Sequence, residues 1–202
     1  MKPPRIPPMA VAIIQNAFSS LDGTVFTELA ACPECGGAVT GHDLKEKQFA
    51  VIADENGTRT IHVKVKRFRC RECGRLCYAD EPFYPDTRIG SPIIDLCVTL
   101  SATMPAGRAA RVLEAMGVIV DRTSCLLYVK KHTTEIPTAD VFGMRLPLSV
   151  LSLGNLAALV PEGERLAGAD VLAACGYPSG RRPPVAAHEP AQQVPHEGSD
   201  SD

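Results

Sequence analysis

Along residues 60–66 apolar and polar positions alternate one for one. Ile61, Val63 and Val65 fall on one side, and Thr60, His62, Lys64 and Lys66 on the other. Successive side chains of an extended strand point to opposite faces, so this is the pattern of a half-buried β-strand. Phe49, Val51 and Ala53 alternate with Gln48, Ala50 and Ile52 just before it. Asp54-Glu55-Asn56-Gly57 separates the two runs, and Asn and Gly tolerate the positive φ of a tight hairpin turn. The pattern predicts a β-hairpin with one face buried and a cationic face turned outward.

From residue 91 the period changes to that of helices. Ser91-Pro92 reads as a helix start with Ser as N-cap and Pro at the first helical position. Ile93, Leu96, Cys97 and Leu100 would share its apolar face. A second helix is predicted from Pro105 to Met116, burying Ala109, Val112, Leu113 and Met116, with Gly117 placed to end it. After the apolar turn Val118-Ile119-Val120, Asp121 can cap a third helix from Arg122 to His132, with Cys125, Tyr128 and Val129 inward.

The flanks are less periodic. Residues 1–9 are proline-rich and read as extended; residues 10–30 show no clean period and fit a short helix or strand. Lys2 and Arg5 before Met9-Ala-Val-Ala-Ile-Ile14 resemble a signal peptide, but the apolar run is short and no cleavage site follows, so secretion is not expected. Asp80 to Asp86 is rich in turn formers and reads as a short ordered linker. Leu146 to Val160 is apolar, Leu166 to Cys175 reads as a short helix ended by Gly176, and 178–202 has the composition of a disordered tail. No stretch approaches the roughly 20 apolar residues that span a bilayer.

The formal charge of −2 hides an uneven distribution. Arg59 to Arg75 holds seven Lys/Arg and one acidic residue, whereas Ile136 onward holds four Lys/Arg and eight Asp/Glu. A basic strip of this kind is either a footprint for a polyanion or a solvated hairpin face.

The chemistry sits in the cysteines. Cys32-Pro33-Glu34-Cys35-Gly36-Gly37 and Cys70-Arg71-Glu72-Cys73-Gly74 are two Cys-x-x-Cys-Gly knuckles. Each lets two thiolates reach one ion from a tight turn, and two such turns complete the tetrahedral sulfur shell of structural zinc. The expected ligands of one zinc ion are therefore Cys32, Cys35, Cys70 and Cys73. Cys77 is a fifth candidate, and His62 stands on the polar strand face, a solvent or phosphate contact rather than a ligand. Paired knuckles favour metal over disulfides and over redox sites, which need a different context. Cys97, Cys125 and Cys175 lie among apolar residues and read as small buried hydrophobes.

Short helix, turn and capped helix with a basic end is the layout of a helix-turn-helix, and it equally fits a small helical bundle without a ligand. The adjoining basic hairpin favours DNA. On that reading Arg122, Thr123 and Ser124 at the start of the third helix reach base edges or phosphates, and Lys130 and Lys131 lie near phosphates. Arg59, Lys64, Lys66, Arg67, Arg69 and Arg71 supply further phosphate contacts from the hairpin. Leu126 and Leu127 are adjacent, so one of them must face away from the core.

The knuckles, the hairpin and Arg67-Phe68-Arg69-Cys70-Arg71-Glu72-Cys73-Gly74-Arg75 together resemble the zinc-ribbon head of prokaryotic insertion-sequence transposases. In such proteins a helix-turn-helix often follows, and Gly107 to Leu113 with Gly117 to Ser124 fit it. The resemblance covers about residues 30–132. It implies recognition of DNA by the head and strand transfer by a separate carboxylate domain. A domain of that kind needs roughly a hundred residues, more than follows His132, and Asp140 and Asp170 have no evident third partner. An enzyme is therefore not the expected reading.

The resulting expectation is an α+β chain. Residues 1–29 form an N-terminal extension, 30–80 a zinc ribbon and 81–135 a three-helix, helix-turn-helix-like unit. Residues 136–177 form short apolar helices and 178–202 a tail. Its expected role is binding duplex DNA in the cytoplasm of a prokaryote, at the nucleoid, with a homodimer or a full-length transposase as further partners and no membrane. The alternatives are a protein-interaction adaptor and a truncated transposase retaining a role in strand transfer.

Overall fold

The computed structural model describes residues 6–55, 57–132, 135–161 and 164–176. The predicted tail, 178–202, lies outside them, as do residues 1–5 of the N-terminal extension and Asn56 of the hairpin turn. In chain order the elements are α1 (Pro8–Ser19), β1 (Val25–Phe26), β2 (Val39–Asp54), β3 (Gly57–Cys70), β4 (Leu76–Tyr78), α2 (Ser91–Ser101), α3 (Ala106–Ala115), α4 (Arg122–Lys131), β5 (Thr138–Val141), β6 (Met144–Pro147), α5 (Leu148–Leu159) and α6 (Gly168–Ala174). The architecture is mixed α+β.

The β2–β3 hairpin is the longest feature, and β3 is its central strand. It runs antiparallel to β2 along one edge, from Val39 opposite Cys70 to Asp54 opposite Gly57. Along its other edge β1 pairs in parallel with Lys64 and Val65, and β4 pairs antiparallel with Arg67 to Arg69. The alternation read from the sequence holds in β3, where Ile61, Val63 and Val65 are fully buried. It fails in β2. The register shifts between Gln48 and Ala50, so Phe49 is the extra residue of a β-bulge. Phe49, Ala50 and Ile52 are consequently buried, while Val51 and Ala53 are half-buried. The bulge is used: the Phe49 carbonyl accepts a hydrogen bond from the Gly90 amide at 2.8 Å. The Phe49 ring meets Phe18 and Phe83 edge-on, at 6.1 and 5.9 Å between centroids.

The helix starts need one correction. Ser91 is the first residue of α2, not its cap; Gly90 is the N-cap and the Ser91 hydroxyl donates to the Pro82 carbonyl at 3.1 Å. Moreover, α2 is buried almost all round, not along one stripe. Ile94 and Asp95 are buried together with the predicted Ile93, Leu96, Cys97 and Leu100. A buried carboxylate needs partners, and Asp95 accepts hydrogen bonds from the Tyr84 hydroxyl at 2.6 Å and the Ser149 hydroxyl at 2.7 Å. In this way it ties the 80–90 segment and α5 to α2. The three helices α2, α3 and α4 pack against one another.

The N-terminal apolar run is α1, with Ala10, Ile14, Ala17 and Phe18 inward at the i, i+4, i+7, i+8 spacing of a core-facing helix. It packs on α5, and Ile13 lies so close to Gly154 that a Cβ there would stand 2.6 Å from Ile13 Cγ2. The β5–β6 hairpin was not expected from the sequence. One hydrophobic core runs from the hairpin's distal half through α1 to α6. A second, small cluster of Cys32, Cys70 and Cys77 with Leu29 and Val39 lies apart at the other end.

Candidate metal centre and helical face

The two knuckles are built alike. The Cys32 amide donates to the Gly37 carbonyl at 2.9 Å, and the Cys70 amide donates to the Arg75 carbonyl at 2.9 Å. Gly36 and Gly74 hold the matching left-handed positions, with φ of 75° and 70°, which only glycine adopts without strain. Cys70 closes β3 opposite Val39 of β2, so the hairpin itself delivers the second knuckle to the first. Arg75 Nη1 spans the two at 2.8 Å from Glu34 Oε2. The Glu72 carboxylate lies over Gly37, where a Cβ would collide with it.

The sulfurs of Cys32, Cys35, Cys70 and Cys73 all lie within 4.8 Å of one another. Cys32 and Cys73 are 3.7 Å apart and Cys35 and Cys70 are 3.5 Å apart. Thiolates at about 2.3 Å from a tetrahedral ion stand about 3.8 Å from each other, so these four residues lie close enough together to hold a metal ion. Backbone amides prepare them for it. The amides of Glu34 and Cys35 favour the Cys32 thiolate and draw its pKa down to about 6 against burial. Those of Cys73 and Glu72 lower Cys70 in the same way. The Gly37 amide favours a Cys35 thiolate, but hydrogen bonds shared with Cys70 and Cys73 outweigh it and push Cys35 up to about 12.

Cys77 stands beneath this cluster. Its Sγ is 3.6 Å from Cys32 Sγ, and burial followed by the hydrogen bond to Cys32 pushes its pKa up to about 11. The two sulfurs are close enough to share a hydrogen bond. His62 lies away from the cluster, opposite Gln48 on the hairpin, with its backbone bonded to Asp22 and Gly23. All eight cysteines are free of disulfides. Cys97, Cys125 and Cys175 are buried as expected, and the Cys97 and Cys125 thiols hydrogen-bond between α2 and α4. No family model matches this chain, and no curated protein or solved structure gives a match. No helix among the described residues is long and apolar enough to cross a membrane.

The basic residues of the hairpin do not form one free face. Lys64 and Lys66 share the outward face, where Glu46 stands directly opposite Lys64 and the Lys66 ammonium lies 5.5 Å from the Phe68 ring. Arg67 points to the other face and is held by Asp43, which raises its pKa while Asp43 falls. Arg59, near the distal turn, is 4.0 Å from Asp54. Arg69 and Arg71 are exposed next to the knuckles.

The α4 helix presents a face to solvent. Asp121 Oδ1 accepts from the amides of Thr123 at 2.8 Å and Ser124 at 2.9 Å, which fixes its N-terminus. Cys125 is fully buried; Tyr128 and Val129 are half-buried. The outer face carries Arg122 and Thr123 at one end, Lys130 and Lys131 at the other, and Leu126 and Leu127 between, 41% and 59% exposed. Lys131 Nζ also reaches Asp86 Oδ2 at 3.9 Å. Asp140 and Asp170 stand on β5 and α6; Asp140 is 3.7 Å from Arg145 Nε.

Proposed function

We propose that this chain is a zinc-stabilised DNA-binding protein similar to the recognition head of an insertion-sequence transposase. On this reading one structural zinc is held by Cys32, Cys35, Cys70 and Cys73. Its binding energy fixes the end of the hairpin, which has only a small apolar cluster of its own. The α2–α4 unit acts as a helix-turn-helix with α4 entering the major groove. Arg122, Thr123 and Ser124 lead, and Lys130 and Lys131 follow near phosphates. Lys64, Lys66, Arg69 and Arg71 add backbone contacts from the hairpin, Arg59 does so from near its turn, and Arg67 contributes less because Asp43 already holds it.

The observation that carries the reading is the exposed α4 face, capped by Asp121 and cationic at both ends. A second reading, a protein-interaction adaptor, is favoured by the exposure of both Leu126 and Leu127 on that same face. Metal analysis of the purified protein with fluorescence-anisotropy titrations on random duplex DNA at low and moderate salt separates them. One zinc per chain with affinity falling steeply in salt supports the DNA reading, because released counterions drive such binding. One zinc with no DNA binding moves the adaptor to first place.

A further inference from the structure

Arg122 does not extend freely from the start of α4. Its Cγ, Cδ and Nε lie 3.2 to 3.5 Å from where a Gly107 Cβ would stand, so its stem rests on the first turn of α3. There it lines an open groove of about 700 Å³ together with Arg108 and Arg111. Arg108 and Arg111 are both exposed and three residues apart, which places them one above the other on the same side of α3. Among the described residues none of the three guanidiniums has an ion-pair or hydrogen-bond partner. The groove's carboxylates are Glu114 and Asp121, and the latter is engaged by the Thr123 and Ser124 amides.

We propose that this groove seats consecutive phosphates of a nucleic-acid backbone. The inference rests on the DNA-binding reading and extends it to α3. Guanidinium forks match phosphate oxygens in pairs. Three unpartnered forks spread over one helical turn and the start of the next helix fit a run of phosphates better than a single small anion, which would leave a fork unused. Asp121 and Arg122, the cap and first residue of α4, line the groove, so a backbone lying in it would pass along the exposed α4 face. Arg122 then becomes a phosphate contact that sets register, and base reading falls to residues further along α4.

The test compares wild type with the double variant R108Q/R111Q and the control R145Q, which changes an arginine on β6 outside the groove. Anisotropy with random duplex DNA is measured across a salt series, with far-UV circular dichroism confirming the fold. The loss of two phosphate contacts should weaken binding and reduce the slope of log K against log salt by about two, while R145Q leaves the slope unchanged. If R108Q/R111Q binds as wild type does, with the same slope, the groove is off the DNA path although the DNA reading stands. If wild type shows no salt-dependent DNA binding, both fall together. Polyglutamate is the third arm: binding as tight as that of DNA, with equal sensitivity to R108Q/R111Q, would make the groove a seat for acidic peptides and overturn the proposal.

Discussion

Five cysteines lie at the knuckle end of the hairpin, and a tetrahedral ion takes four. Spacing alone leaves Cys77 as a competitor of Cys73, since both follow Cys70 closely. Geometry separates them. Cys73 sits on its own knuckle turn within reach of all three other ligands, whereas Cys77 is on β4 opposite Phe68, below the cluster. On the zinc reading proposed above, Cys70→Ser should therefore lose the metal and with it hydrogen-exchange protection of the knuckles and β4, because ligand removal takes folding energy with it. Cys77→Ala should keep one zinc per chain by mass spectrometry under native conditions. A Cys77→Ala protein that emerges metal-free would instead place Cys77 in the ligand set. Acid acts in the same direction as ligand removal: protons compete for thiolates, so zinc should dissociate as pH falls.

The element most exposed to a single change is the turn between α3 and α4. Gly117 has φ of 78°, and a Cβ there would stand 2.5 Å from the Ala53 carbonyl oxygen and collide with Gln15. The same turn hydrogen-bonds to β2 through the Ala53 amide, at 2.8 Å from the Gly117 carbonyl. Gly117→Ala should cost about 2–4 kcal/mol in denaturant unfolding, combining left-handed strain with lost docking. The α4 cap is milder. Asp121→Ala should cost about 1 kcal/mol at neutral pH. Hydrogen bonds from Ser124 and Thr123 hold the Asp121 carboxyl below its ordinary value. Its contribution is thus present above the unfolded-state pKa near 4 and lost as pH falls through the lower folded-state value. The gap between wild type and Asp121→Ala in melting temperature should narrow below about pH 4. Both features were legible in the sequence, because a glycine after an apolar helix and an aspartate before the next have direct backbone consequences. Cys32, Cys35, Cys70 and Cys73 were legible for the same reason. The Phe49 bulge was not, since period-2 counting assumes an unbroken register, and only the meeting of Phe49 with Gly90 across forty residues of chain shows why it breaks. The stripe of α1 was blurred by Val11, Ala12 and Ile13, which are apolar but lie off its buried line. The all-round burial of α2 depends on α5 and the β5–β6 hairpin, which no local pattern in α2 announces.

At the scale of the whole molecule, the hairpin sets a distance. The knuckles lie beside Val39 and Cys70, while the α3–α4 turn docks at Val51 to Ala53, where the Ile119 and Ala53 amides meet Val51 and Gly117 carbonyls. A strand rises about 3.3 Å per residue, so the metal end and the helical end of β2 stand roughly 40 Å apart once the bulges are allowed for. Along B-form DNA at 3.4 Å per base pair this is about 12 base pairs, a little over one helical turn. If Arg69 and Arg71 at one end and the α3–α4 groove at the other engage the same duplex, nuclease protection should extend over at least that length. The two ends also belong to separate clusters, since none of the four knuckle cysteines contributes to the main core. Chelation should therefore shorten the footprint from one side while leaving the helices folded. Exchange protection should fall at residues 29–45 and 66–78 and persist in α2, α3, α4 and the 49–65 segment. Loss of helix protection on the same time course would mean that the metal end and the core unfold as one unit, and that the zinc stabilises the whole chain through the β3 strand that joins them.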